Sequence, residues 1–180
     1  ETPPATFTKA DSASGFDGTT AEVTKADGGS GIVSQPESHA IAQNIRILVA
    51  CEYSATVRDA FRARGFDAWS CDLLPTEGDP RWHIQGDAIE AAYGGQWDLM
   101  IAHPECTYMT NAGVTWLHKD EGRWAKLDAA TAFFRKLWEA PIAHIAIENP
   151  IMHKYAKERI GGMRQSQTVQ PWMFGHMEQK

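Results

Sequence analysis

Cysteine is scarce. The 180 residues hold three, Cys51, Cys71 and Cys106, an odd number with no Cys-x-x-Cys pair. That count speaks against a disulfide scaffold and a structural zinc site, and it fits a reducing compartment. Long apolar runs are missing too, since none approaches the roughly 20 residues that cross a bilayer. The polar amino end lacks the apolar stretch of a secretory signal, so a cytoplasmic location with no membrane contact is expected. The histidines show no ligand spacing such as His-Glu-x-x-His, and no metal is expected. Glycine is absent from Ile47 to Arg64, so a turn there is built from residues that carry a Cβ. Positive charge is in deficit: the net charge of −6 argues against indiscriminate affinity for nucleic acid.

What is present is unevenly distributed. Residues 1–44 are rich in Thr, Ser, Gly, Ala and Asp and carry two basic against six acidic side chains. With few large apolar side chains they bury little surface, which predicts a tail or linker. They also repeat: Phe7-Thr-Lys-Ala-Asp-Ser-Ala-Ser-Gly-Phe16 is followed by Val23-Thr-Lys-Ala-Asp-Gly-Gly-Ser-Gly-Ile32. Two copies are too few for a solenoid, so the alternative is a pair of short strands docked on a protein partner. Residues 123–164 show the opposite balance, eight basic against four acidic side chains. They fit either a phosphate-facing surface or ordinary solvated helix faces.

From residue 45 the chain alternates strand and helix. Ile45–Ala50 is apolar and β-branched, a predicted strand. Ser54 is the predicted cap of a helix burying Val57, Ala60 and Phe61, with Arg58, Arg62 and Arg64 outward. Phe66–Cys71 is a second strand ending at Asp72. Residues 74–86 read as a loop, Ala88–Tyr93 as a short helix, Trp97–Ala102 as a buried strand and 107–120 as irregular chain. A helix over Glu121–Glu139 has Trp124, Leu127, Ala130, Phe134 and Leu137 on one face. A strand at 144–148, a basic helix near His153–Ile160 and an interrupted strand at 168–174 complete the reading. This alternation predicts one Rossmann-like, doubly wound α/β domain over 45–180, with a mostly parallel sheet. Right-handed crossovers bring Glu52, Asp72, Cys106 and Glu148 to one rim.

The chemistry-bearing residues lie at strand ends. Pro104 stiffens the turn that carries Cys106, and a nearby helix start would favour its thiolate. Glu105 beside it would raise the thiol pKa. Cys51 and Cys71 read as core packing. Glu148 ends an apolar strand, where a buried carboxyl needs a partner or stays protonated. Asp72, after the second strand, is placed to accept two hydroxyl hydrogen bonds.

A Pro-x-Cys turn after the central strand and Glu-Asn-Pro after the next resemble the two catalytic turns of cytosine carbon-5 DNA methyltransferases. The stretch 45–180 is similar to the short phage and prophage branch of that family. The matching segments are Ile47–Ser54, Trp69–Leu74, His83–Asp87, Asp98–Pro104, Ala146–Pro150 and Gln170–His176. The resemblance implies S-adenosylmethionine as cofactor, held by Ala50, Glu52, Tyr53, Ser54, Asp72 and Asp87. It implies Cys106 as nucleophile and Glu148 as the group on the cytosine ring nitrogen, with Pro104, Thr107 and Asn149 around the base and DNA as partner. It also implies a bacterial-host or phage setting and a motif core that stops short of the family's target-recognition region. Ser54-Ala55 stands where the family has glycine, and Pro-Glu-Cys where it has Pro-Pro-Cys. The alternative function is a catalytically inactive relative that keeps the fold for binding or assembly, for example on a virion.

Overall fold

Apolar β-branched segments separated by helix-length spacers dictate the architecture. The protein is described by a computed structural model covering residues 4–9, 44–175 and 177. A seven-stranded sheet runs through it. The strands are β1 (Pro4–Lys9), β2 (Arg46–Ala50), β3 (Asp67–Asp72), β4 (His83–Gln85), β5 (Leu99–Ala102), β6 (His144–Pro150) and β7 (Gln167–Thr168). Their spatial order is β4-β3-β2-β5-β6-β1-β7. The five strands from β4 to β6 are all parallel. The chain moves outward from β2 to β3 and β4, then returns past β2 to β5 and β6. The order therefore reverses between β2 and β5.

The helices are α1 (Thr56–Arg62), α2 (Ala88–Gly94), α3 (Asn111–Val114), α4 (Gly122–Trp138) and α5 (Lys154–Arg159). Strand side chains alternate between faces, and β2 separates two apolar clusters accordingly. Ile47 and Val49 pack with Ala68 against Val57 and Phe61 of α1. Leu48 and Ala50 join the larger cluster with Ala92 of α2, Leu127, Phe134 and Leu137 of α4, and Ala156 of α5. Helices thus cover both faces. Among the described residues, no helix is long and apolar enough to cross a membrane.

Several expectations are corrected. The segment 74–86 holds a 3-10 turn at Pro80–Trp82 and the strand β4. At three residues, β4 is too short to leave an alternating pattern. The irregular stretch 107–120 contains the short α3. As expected from Pro171, the final strand is an edge strand broken in two, with β7 at Gln167–Thr168 and, in place of a second strand piece, a 3-10 turn at Pro171–Phe174. Residues 4–9 pair with the domain's own β6 as an antiparallel strand, whereas the tail reading left them unpaired. The second copy of the repeat lies outside the described residues.

Candidate functional site

Register aligns the strand ends. Ala50 is level with Cys71 and with Ala102, and Ala102 is level with Ile147. One residue further on, Asp72, Cys51, His103 and Glu148 therefore stand in a row along the carboxyl rim. The topological reversal between β2 and β5 lies within that row, where open α/β sheets form their binding crevice. A cavity of about 760 Å³ opens there, within the range of small-molecule sites. Its walls include Cys51 and Tyr53 after β2, Asp72 to Leu74 after β3, Gly86 to Ala88, and His103 and Glu105 after β5. Tyr108 and the α4 residues Lys126, Ala129, Ala130 and Phe133 close it from above.

The turn after β2 has an unusual backbone. Cys51 (φ 59°) and Ala55 (φ 65°) both occupy the left-handed region, which costs an L-residue about 1–2 kcal/mol. Ala55 stands where the resembled family has glycine, and it takes a glycine-like conformation. Glu52 holds the turn. Its carboxylate accepts from the backbone N–H groups of Val57 at 2.6 Å and Arg58 at 3.2 Å, satisfying open donors at the start of α1. Ser54, the expected cap, instead donates to Glu52 and accepts from Thr56. Of the residues expected around a cofactor, Tyr53, Asp72 and Asp87 line the cavity. Ala50 is fully buried, Glu52 faces α1, and Ser54 is exposed.

Arg58 was expected to face outward but is fully buried. Its guanidinium donates to Ser70 Oγ at 3.2 Å, to the Asp79 carbonyl at 3.1 Å and to Asp59 at 2.8 Å. Ser70 Oγ in turn meets His83 Nδ1 at 2.9 Å, and His83 Nε2 meets the Leu74 carbonyl at 3.0 Å. This network ties β3, β4 and the loop between them together, fixing the wall that carries Leu73 and Leu74. Asp72 accepts from Leu74 N through Oδ1, and Asp87 caps α2 by accepting from Ile89 N.

On the other side of the reversal, His103 N donates to the Ala50 carbonyl. His103 Nδ1 lies 3.1 Å from Glu148 Oε2, so Glu148 meets its need for a partner through a residue three positions before Cys106. The Glu148 side chain is 44% exposed, not buried as its apolar strand suggested. Asn149 is fully buried, and its Oδ1 has no partner among the described residues. Pro104 is buried, Cys106 half-buried and Thr107 exposed. The Cys106 carbonyl accepts from Met109 N and Thr110 N. His153 fastens this loop to the chain after β6, donating N–H to the Met109 carbonyl and placing Nε2 2.9 Å from the Tyr108 carbonyl.

Electrostatics at the cysteines are uniform in sign. Burial, then the charges of Glu148 and Glu105, push the Cys106 thiol above its ordinary pKa, against an opposing backbone hydrogen bond. The expected effect of Glu105 is therefore present, and Glu148 is near enough to act on the sulfur. Burial, Asp72 and neighbouring groups push Cys51 up to about 12, and burial with Asp72 pushes Cys71 up to about 11. Cys71 is core, as expected, but Cys51 also lines the cavity.

Sequence reading missed His103 as the partner of Glu148, and it missed the α4 wall. Lys126, Ala129 and Phe133 follow the i, i+3, i+7 spacing of one helix face, beside the core stripe through Leu127 to which Ala130 belongs. That second stripe was the available signal. No family model, curated protein or solved structure matches the chain.

Proposed function

We propose that this protein is a cytosine carbon-5 DNA methyltransferase of the S-adenosylmethionine-dependent, Rossmann-like type. The observation that carries this reading is the row of strand ends. It brings His103, which leads into the Cys106 turn, level with Glu148 on the adjacent strand, beside a cavity whose walls include His103, Tyr53, Asp72 and Asp87. The cavity suits the cofactor: Asp72 has one carboxylate oxygen engaged by Leu74 N and another to offer ribose hydroxyls. Leu73 and Leu74 give an apolar wall, and Asp87 accompanies them on the adenine side. When bound, S-adenosylmethionine supplies an electrophilic methyl group for carbon 5 of the base.

The target cytosine leaves its stack, because its ring edge is unreachable inside a duplex. Cys106 thiolate forms a bond to carbon 6, and the electron pair moves through the ring toward the ring nitrogen. Glu148, held by His103, hydrogen-bonds that nitrogen. Covalent addition makes carbon 5 nucleophilic. After methylation, solvent water takes the carbon-5 proton, the freed pair reforms the 5,6 double bond, and the carbon–sulfur bond breaks to return the Cys106 thiolate.

A second reading is favoured by one observation. Burial and two carboxylates all raise the Cys106 thiol pKa, the wrong direction for a nucleophile at neutral pH. That suits a non-catalytic protein which keeps the fold for binding or assembly. Titration calorimetry with S-adenosylmethionine separates the two. The wild type is expected to bind, and Asp72→Asn to bind roughly 10- to 100-fold more weakly, as for a lost charged hydrogen-bond acceptor. Absence of heat with the wild type contradicts the methyltransferase reading.

A further inference from the structure

We infer that Arg123 and Lys126 form a clamp for a phosphodiester of the substrate strand, at the α4 edge of the cavity. The inference rests on the reading of the protein as acting on DNA, and it names the residues that grip the backbone beside the reacting base.

Arginines in this protein are generally paired. Arg46 and Arg62 meet Asp67, Arg58 meets Asp59, Arg81 meets Asp79, Arg135 meets Glu139 and Arg159 meets Asp128. Arg123 is half-buried yet has no acidic partner among the described residues, and its Nε is buried without a hydrogen bond. Its guanidinium lies 5.2 Å from the centre of the Tyr108 ring, and Lys126 Nζ lies 5.8 Å from the same ring. Tyr108, two residues after Cys106, and Lys126 both line the cavity. Two cations with no acidic partner among the described residues therefore lie within 6 Å of the centre of one ring in the cavity wall.

Their place on α4 sharpens the point. Both lie within the first five residues of a 17-residue helix whose first turn holds no acid. Cations at that end oppose the helix dipole, so helix stability does not account for them. Asp120 and Glu121 precede the helix, but the Asp120 carboxylate is engaged by Gly122 N. A planar guanidinium and an ammonium side by side make an anion site. A phosphodiester is the anion that accompanies a flipped base.

The test is the salt dependence of binding to a short cytosine-containing duplex. A parallel arm uses the same duplex with an abasic site, and another uses 2′-deoxycytidine 5′-monophosphate alone. Each phosphate contact contributes about 0.9 to the slope of log K against log salt. Arg123→Gln and Lys126→Gln are each expected to lower the slope by about 1 on both duplexes. Arg123→Lys should keep it, and Arg64→Gln, one cation fewer at the far end of α1, should leave it unchanged. Slopes for both Gln variants equal to wild type, or reduced no more than in Arg64→Gln, overturn the clamp. Equal dependence of mononucleotide binding on both residues assigns the site to a free nucleotide and overturns the DNA assignment. Reduced slopes without S-adenosylmethionine binding keep the clamp and remove the methyltransferase reading. Unchanged slopes in a protein that binds the cofactor do the reverse.

Discussion

Burial first, then the charges of Glu148 and Glu105, raise the Cys106 thiol pKa, and Glu105 is the one of these that a substitution beside the thiol removes most simply. It lines the cavity beside Cys106, and its charge acts with burial and Glu148 to keep the thiol protonated. A raised pKa means that thiolate appears only as pH climbs past the ordinary thiol value, so alkylation of Cys106 should have its midpoint on the alkaline side of that value. Glu105→Gln removes one of the raising charges. Its alkylation profile, read by mass spectrometry of the Cys106 peptide, is expected to shift to lower pH, with a higher rate at neutral pH. A profile unchanged by the substitution would show that Glu105 does not govern the thiol. Arg58 makes the complementary point. Its i+4 neighbour Arg62 and near neighbour Arg64 made an outward basic face the natural reading. Yet the side chain is fully buried among Ser70, Asp79 and Asp59. Nothing local distinguishes a solvated arginine from one whose partners are 12 and 21 residues away.

At the scale of elements, the turn after β2 and the loop before β4 behave as one unit. Thr76 Oγ1 and Glu77 N both donate to the Tyr53 carbonyl. A Cβ added to Gly78 would lie 2.6 Å from Ala55 Cβ and 2.6 Å from Arg58 Nη2. Gly78→Ala should therefore push the loop off the turn and cost about 1–3 kcal/mol, as overpacking does. Chemical denaturation measures it directly; a change below about 0.5 kcal/mol would show that the loop moves aside freely. The same unit shows what was legible. The long stripe of α4 and the apolar run of β2 declared themselves, because periodicity over many residues is unambiguous. Ser54 as a cap did not hold, because Glu52 reaches the same N–H groups from further back. Left-handed Cys51 and Ala55 were invisible, since nothing in either residue type requires a positive φ. Only the register of the sheet reveals that a row of strand ends, scattered from Cys51 to Glu148, forms one rim.

For the whole molecule, five parallel strands with a reversal between β2 and β5 concentrate the chemistry on one edge, and helices on both faces leave that edge open. The N-terminal segment adds something composition hid. Residues 4–9 close the edge of β6, with Thr6 opposite Glu148 in register, although the surrounding stretch has little apolar surface to bury. Main-chain pairing needs no large side chains, so a low-hydrophobicity segment can still complete a sheet. The central claim is that the thiol after β5 and the carboxylate of Glu148 act on one cytosine ring; Glu148 lies inside β6, which runs on to Pro150 rather than stopping at 148 because β1 pairs with it there. The most direct measurement is covalent trapping on duplex DNA carrying 5-fluorocytosine, with S-adenosylmethionine present, read by denaturing gel and intact mass. The expected result is an adduct with the wild type and none with Cys106→Ser. A wild-type protein that binds both cofactor and DNA yet forms no adduct would contradict the account.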